Sequence, residues 1–303
     1  MTLDAGSTLV MGEALVDLVP ASGEKQLYRA QPGGAPANVA VGLARLGGRS
    51  HFAGGIGADG FAQQLEQWLT GSGVDHSLCR RSLLPTALAV TDPGHDGNAY
   101  HFHTERTATF DLSDLSPEVH RFDAVYVGGL AAILEPAASV VASTARAAAS
   151  RSLLVVDPNV REDRGVDAQR SLKRLRTLCE EADVVKASDE DIARLWPDRD
   201  PEASCRRLAS GGRLVVMTRG ARGSTAYALA REPVSVPAAR VKLVNSIGAG
   251  DAFMAGVLTW LSAHAWRLDL PAGQTSAMLA YASRVAGSVC AQSGTEPSMS
   301  HRL

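Results

Sequence analysis

Short apolar runs punctuate this chain: Leu9-Val10-Met11, Ala124-Val125-Tyr126-Val127, Leu153-Leu154-Val155-Val156, Val184-Val185 and Leu214-Val215-Val216-Met217. None alternates with polar residues, and unbroken apolar stretches this short are the pattern of strands buried on both faces of a parallel sheet. From the second onward they recur roughly every 30 residues, the span of a strand plus a crossover helix. The intervening stretches Ala137 to Ser150, Ala168 to Glu181 and Asp189 to Trp196 carry apolar residues at helical spacing. Strand and helix therefore alternate as in a doubly wound α/β sheet.

Two segments depart from this rhythm. Glu13 to Pro32 and Pro85 to Phe110 read as alternating strand with turn residues, Ala21-Ser22-Gly23 and Asp92-Pro93-Gly94. They predict a small second sheet. At the carboxyl ends of the parallel strands, where open α/β sheets bind ligands, such a sheet would act as a lid. No repeat, low-complexity tract or Pro/Ser-rich linker divides the chain, so one domain is expected over residues 1–303, with lid segments at about 13–32 and 85–110.

An apolar content of 45% is enough for a large core, and abundant Ala and Gly suit helices packed closely on a sheet. The formal net charge of -2 comes from charges spread along the chain, which leaves no basic face for nucleic-acid phosphates. Cys79, Cys179, Cys205 and Cys290 are far apart, without a Cys-x-x-Cys pair, as expected of buried reduced thiols. No segment approaches the ~18 apolar residues of a membrane span, and Met1 to Asp4 begins no signal peptide. The expected location is the cytoplasm.

The most specific chemistry lies in Asn245-Ser246-Ile247-Gly248-Ala249-Gly250-Asp251-Ala252-Phe253, which runs into an apolar helical stretch through Trp260. A Gly-Ala-Gly run opening a helix points backbone N–H groups outward at the positive end of the helix dipole, a site for phosphate oxygens. Asp251 would stand beside that phosphate and accept a proton from a substrate hydroxyl while the amides stabilise the transferred phosphoryl group. The structural alternative is a glycine turn followed by a first-turn carboxylate. A second motif, Gly33-Gly34-Ala35-Pro36-Ala37-Asn38, precedes the helical run Val39 to Leu46 and the turn Gly54-Gly55-Ile56-Gly57-Ala58-Asp59. Its glycines admit a ligand close to the backbone, and Asn38 can either bind paired hydroxyls or cap the helix.

Gly33 to Gly57 and Ser246 to Asp251 resemble, in order and separation, the two signatures of the ribokinase-like (PfkB) carbohydrate kinases, and weaker similarity covers nearly the whole chain. The resemblance implies an α/β ribokinase-like fold: a central, mostly parallel sheet flanked by helices, with a small β-sheet lid over a sugar. It also implies ATP and Mg2+, with Asp251 as the base and Gly248, Ala249 and Gly250 as an anion hole. Gly12-Glu13-Ala14-Leu15-Val16-Asp17 resembles the first strand and the start of the lid. Asp17 then matches the carboxylate that holds sugar hydroxyls, beside Gly33, Gly34 and Asn38; an ionised carboxylate accepts strong hydrogen bonds from adjacent hydroxyls. Without the family, Asp17 is equally a strand-end surface acid.

Asp157-Pro158-Asn159-Val160-Arg161 resembles a fructokinase-type run, with Arg161 facing substrate or phosphate; its structural reading is a strand-to-loop turn satisfied by Asp157 and Asn159. Thr218-Arg219-Gly220-Ala221-Arg222-Gly223-Ser224 resembles the family's nucleotide-side turn, with Thr218, Gly220 and Gly223 along ATP, or else a glycine hairpin. Ser283 falls where an adenine-side Asn is common. Ser293-Gly294-Thr295 falls near a loop that binds a monovalent cation in many members, which implies K+ dependence.

The chain departs from the family at three places. Asn245-Ser246 replaces the usual Asp-Thr, removing a negative charge near phosphate and metal. Ser188-Asp189-Glu190-Asp191 replaces Asn-x-x-Glu, so the resemblance gives Ser188 a nucleotide-side role and Asp191 a metal role through ordered water, with a reach one methylene shorter. In the second lid segment His103 and Thr104 replace the Tyr and Arg common in fructokinase-like members. His101 and His103 share a strand face without a third ligand in sequence, and we expect a solvated or sugar-facing edge. The expected activity is ATP-dependent phosphorylation of a small sugar, most closely fructokinase-like, with ribose, 2-keto-3-deoxygluconate and nucleosides as alternatives and a lid-mediated homodimer as a further expectation. A catalytically impaired sugar- or nucleotide-binding protein is the alternative from another class. A dinucleotide enzyme is set aside because Gly12-Glu13-Ala14 stands where Gly-x-Gly-x-x-Gly would be needed.

Overall fold

A computed structural model describes residues 6–21, 27–91, 100–160, 167–292 and 294–303. In chain order the elements are β1 (Ser7–Met11), β2 (Leu15–Pro20), β3 (Tyr28–Gly33), α1 (Ala35–Arg45), β4 (Arg49–Ala53), β5 (Gly55–Ile56), α2 (Gly60–Gly71), β6 (Arg80–Arg81), β7 (Leu88–Thr91) and β8 (Tyr100–His103). They continue with β9 (Ala124–Gly128), α3 (Ala137–Ala148), β10 (Leu153–Asp157), α4 (Ala168–Glu181), β11 (Val184–Ser188), α5 (Asp189–Leu195), α6 (Pro201–Ala209) and β12 (Leu214–Thr218). The last are β13 (Ser224–Tyr227), β14 (Val234–Val236), α7 (Ala249–Ala263) and α8 (Ala272–Cys290).

The five apolar runs become the centre of an eight-stranded sheet of order β14-β13-β12-β11-β10-β9-β1-β4. From β4 to β12 every pairing is parallel, and β13 and β14 add an antiparallel edge. Alternate residues of the central strands feed two separate cores. Leu9, Val125, Leu154, Val185 and Val215 pack with α3 to α6 on one face; Val10, Tyr126, Val155, Val184 and Val216 pack with α1, α2, α7 and α8 on the other. Both faces being covered is why these strands read as unbroken apolar runs.

The two irregular segments form the second sheet, of order β3-β2-β7-β8, joined to the main sheet where β1 passes through Gly12 to Ala14 into β2. The turn residues Ser22, Gly23, Asp92, Pro93 and Gly94 lie outside the described residues, as does Arg161.

Two local expectations change. Helix α1 starts at Ala35 rather than at Val39, because Pro36 in its first turn needs no N–H partner, and Gly34 (φ 102°) takes the cap position. Asn38 therefore sits inside the helix, its amide bonded 2.8 Å to the Gly34 carbonyl, and its side chain is not the cap. Cys79, Cys179 and Cys205 are buried free thiols, whereas Cys290 is only half-buried. No helix among the described residues is long and apolar enough to cross a membrane.

Candidate active site

Helices α1 and α7 both begin at a positive-φ glycine without a side-chain cap, Gly34 and Gly248 (φ 77°), so their first-turn amides are not consumed by a capping side chain. These two starts meet. Asn38 Nδ2 donates 2.9 Å to Asp251 Oδ2, and Thr295 Oγ1 donates 3.3 Å to Asn38 Oδ1. The amide orientation is thus set from both ends, and the Asp251 carboxylate, 8% exposed, is held facing a cleft. Gly248 has no room for a side chain, because a Cβ there would lie 2.8 Å from Thr295 Cβ.

The cleft is lined by Glu13, Asp17, Gly34, Asn38, Phe102, Asn159, Gly248 and Asp251, among others. It brings together Asp251, Asn38, Gly34 and Asp17 from parts of the chain far apart in sequence, under the second sheet. Gly33 adjoins rather than lines it: Asp17 packs so closely on its backbone that a Cβ would meet the carboxylate. Ala249 and Gly250 continue the first turn of α7, and the Ala249 amide already donates 3.2 Å to the Ser246 carbonyl. Asn245 bends the approach to this turn, its Oδ1 accepting from the Ile247 amide at 3.0 Å.

At and beneath the cleft floor lies a buried charged cluster whose pairing the motifs did not reveal. Glu13 is 2% exposed and accepts from the Leu130 and Ala131 amides, both at 3.0 Å. Burial, reinforced by the nearby Asp251 charge, pushes its carboxyl up to about 7. Asp157, fully buried at the end of β10, pairs with Lys186 Nζ at 2.8 Å; burial raises its carboxyl to about 6 while Lys186 pulls it down. The Asp157 charge, joined by those of Asp191 and Asp251, outweighs burial and holds the Lys186 ammonium above its ordinary value. Asp157 Oδ1 and the Tyr126 hydroxyl, both buried, have no hydrogen-bond partner among the described residues. The signal for Lys186 was present in the sequence, as a lysine inside the apolar strand Val184-Val185-Lys186-Ala187, since lysine is almost never fully buried unpaired.

Ser188 and Asp191 form a capping box at the start of α5. Asp191 Oδ2 accepts from the Ser188 amide and hydroxyl at 3.0 and 2.7 Å, and Oδ1 accepts from the Val160 amide at 3.0 Å. Among the described residues no group of three or more His, Cys, Asp or Glu side chains could hold a metal ion. The carboxylates here suit a hard cation such as Mg2+ only as the companion of bound phosphates, its shell completed by water.

Thr218 lies opposite Ser188 in the β11–β12 ladder, at the carboxyl ends of the strands, and its hydroxyl reaches the Ala187 carbonyl at 3.5 Å. Gly220 and Gly223 belong to the turn that reverses β12 into antiparallel β13, so the hairpin is real. Open space surrounds the Cα of Gly220, whereas Gly223 packs against the Val236 carbonyl. Ser283, on α8, accepts from the Ala239 amide at 2.8 Å and so steadies the segment leading to α7. None of these four lines the cleft of Asp251. His101 and His103 are exposed on one face of β8, the solvated-edge arrangement.

Comparison with known proteins bears on this arrangement. Residues 6–302 match the family described as pfkB family carbohydrate kinase. A fructokinase of Klebsiella pneumoniae is 35% identical over 295 residues, covering 91% of this chain and 93% of that protein. The structure of a Vibrio cholerae O395 fructokinase in a fructose-, ADP- and calcium-bound form superposes with a TM-score of 0.84 at 28% identity, covering 97% of this chain and 96% of the other. A Xylella fastidiosa fructokinase with bound ATP gives a TM-score of 0.87 at 26% identity, with coverage of 97% and 96%.

Proposed function

We infer that this chain, which belongs to the pfkB family of carbohydrate kinases, is an ATP-dependent sugar kinase of fructokinase type. The observation that carries the reading is the hydrogen bond from Asn38 to Asp251. It joins the two glycine-opened helices and holds a nearly buried carboxylate at a helix start, opposite Asp17. In this reading Asp17, Gly33, Gly34 and Asn38 hold the sugar hydroxyls, with Arg161 as a further contact. Asp251 takes the proton of one hydroxyl as that oxygen attacks the γ-phosphorus of ATP. The bond from that phosphorus to the bridging oxygen breaks, ADP leaves with the electron pair, and the proton passes from Asp251 to solvent.

The backbone of Gly248, Ala249 and Gly250 faces the phosphoryl oxygens in flight; the Ala249 amide must first leave the Ser246 carbonyl to contribute. Ser188, Thr218, Gly220, Gly223 and Ser283 belong to the nucleotide side. Bound Mg2+ supplies neutralisation of the β- and γ-phosphates. Because Asp191 is committed to Ser188 and Val160, it would hold the ion only through water. A K+ ion near Thr295 completes the cofactor set, with loss of turnover in K+-free buffer as its test.

The small sheet acts as the lid of a single 1–303 domain. Its outer strand β3, whose first residue Tyr28 is 38% exposed next to Leu27 at 51%, provides a surface for a homodimer. Four free cysteines and the need for ATP suit a cytoplasmic location. An ADP-release assay over fructose, ribose, 2-keto-3-deoxygluconate and nucleosides tests the function. Turnover highest on fructose is expected; tight binding without turnover on any of them would establish a binding protein instead.

A further inference from the structure

Lys186 takes no part in the steps above, yet three observations place it at their centre. Its backbone lies in the middle of β11, opposite Val216, and its side chain is buried, only 7% exposed. Its Nζ sits 2.8 Å from Asp157 Oδ2 and within 3.1 Å of where a Cβ on Gly250 would stand. The missing side chain at Gly250 thus lets an ammonium approach the first turn of α7 from behind. Finally, the buried charged residues among those described are Glu13, Asp157, Asp191 and Asp251 on one side and Lys186 alone on the other. A triphosphate must be accepted into this acidic surrounding.

We infer that Lys186 is the fixed cation of the phosphoryl-transfer site, held by Asp157 behind the Gly250 amide, and that it favours the γ-phosphate and its transfer. The inference rests on the kinase reading and deepens it. A lysine that served only to neutralise Asp157 would have no reason to contact the glycine run, and buried ion pairs are commonly replaceable by neutral side chains without loss of stability. A point charge in a water-poor site, in contrast, acts on any phosphate bound within a few ångström.

The two roles separate in the double variant K186M/D157N, which removes both charges and strands neither. With the fold checked by thermal melting, ATP and ADP affinities are measured by calorimetry without sugar, and turnover is measured with the preferred sugar. The expected result is an ATP affinity reduced about 30-fold, ADP affinity within about 3-fold of wild type, and kcat lower by about 100-fold or more. A double variant with the wild-type ATP-to-ADP ratio and turnover would show that the pair merely neutralises itself, and would overturn the inference. Should the double variant not fold, the single variants decide. K186M should lose the preference for ATP, and D157N, which keeps the cation but not its holder, should lose less; a K186M variant with the wild-type ATP-to-ADP ratio and turnover would sink the proposal. Absence of wild-type turnover on every sugar would be a failure of the kinase reading, distinct from either result because the nucleotide ratio is read without sugar.

Discussion

Asp251 and Asn38 were legible in the sequence because glycines that open a helix announce an anion site and the residues beside them inherit its chemistry. Asp251→Asn keeps the shape and the contact to Asn38 but cannot take a proton, so kcat should fall ~100-fold or more with sugar and nucleotide binding nearly intact. Steady-state kinetics with calorimetry decides; unchanged turnover would remove Asp251 from its role. The role of Glu13 was not legible, because it depends on burial that local sequence does not report, and Lys186 left only the signal of a lysine inside an apolar strand, without its partner. Glu13 has a measurable consequence. Burial holds its carboxyl near about 7, against an ordinary value of 4.5, so between those pH values the folded protein keeps a proton that the unfolded chain has lost. Stability therefore falls as pH rises through that window, by about 3 kcal/mol from this group. Asp157, raised from 3.8 to about 6, adds to the decline over the lower part of the range. Glu13→Gln should flatten the fall of Tm between pH 5 and 8 measured by calorimetry, and parallel curves for the two proteins would show that Glu13 does not ionise there.

At the scale of elements, α4 was read from the sequence with the limits the structure shows, because Asp167 caps it by accepting from the Arg170 amide at 3.1 Å and its apolar face is regular. The start of α1 was misplaced because a glycine cap and a proline in the first turn look locally like loop. The same device at α7 can be tested. Gly248→Ala forces a side chain into a left-handed conformation costing ~1 kcal/mol and against Thr295, which also orients Asn38. The variant should melt lower and lose kcat more than sugar affinity. A variant with wild-type kinetics would show that the α7 start can reshape freely. The capping box of α5 makes a contrasting case. Ser188→Ala should cost ~1 kcal/mol in denaturant unfolding through the lost cap. It should also loosen the Asp191 carboxylate that holds the Val160 amide, next to Arg161.

At the scale of the molecule, the rhythm of apolar runs told of a parallel sheet but not of its order. Each run is equally apolar, so nothing local says that β1 lies between β9 and β4. The antiparallel edge was also hidden, since β13 opens with Ser224-Thr225 and β14 is short and only partly buried. The second sheet was legible as alternation, but its exposed edge was not. One of its faces leans on the core through Val16, Leu18 and Ala30, while β3 forms an outer edge whose first residue, Tyr28, is exposed together with Leu27 before it. An unpaired strand edge bearing apolar side chains is usually covered in a stable protein. Pairing with the same edge of a second copy would cover both by two-fold symmetry. Sedimentation equilibrium at micromolar concentration should then give twice the chain mass of 31.7 kDa. The variant Leu27→Glu with Tyr28→Glu should sediment as a monomer and, if the partner steadies the lid, show a raised KM for sugar with ATP binding unchanged. A wild-type protein that stays at the monomer mass across the concentration range would leave the lid of each copy to close alone.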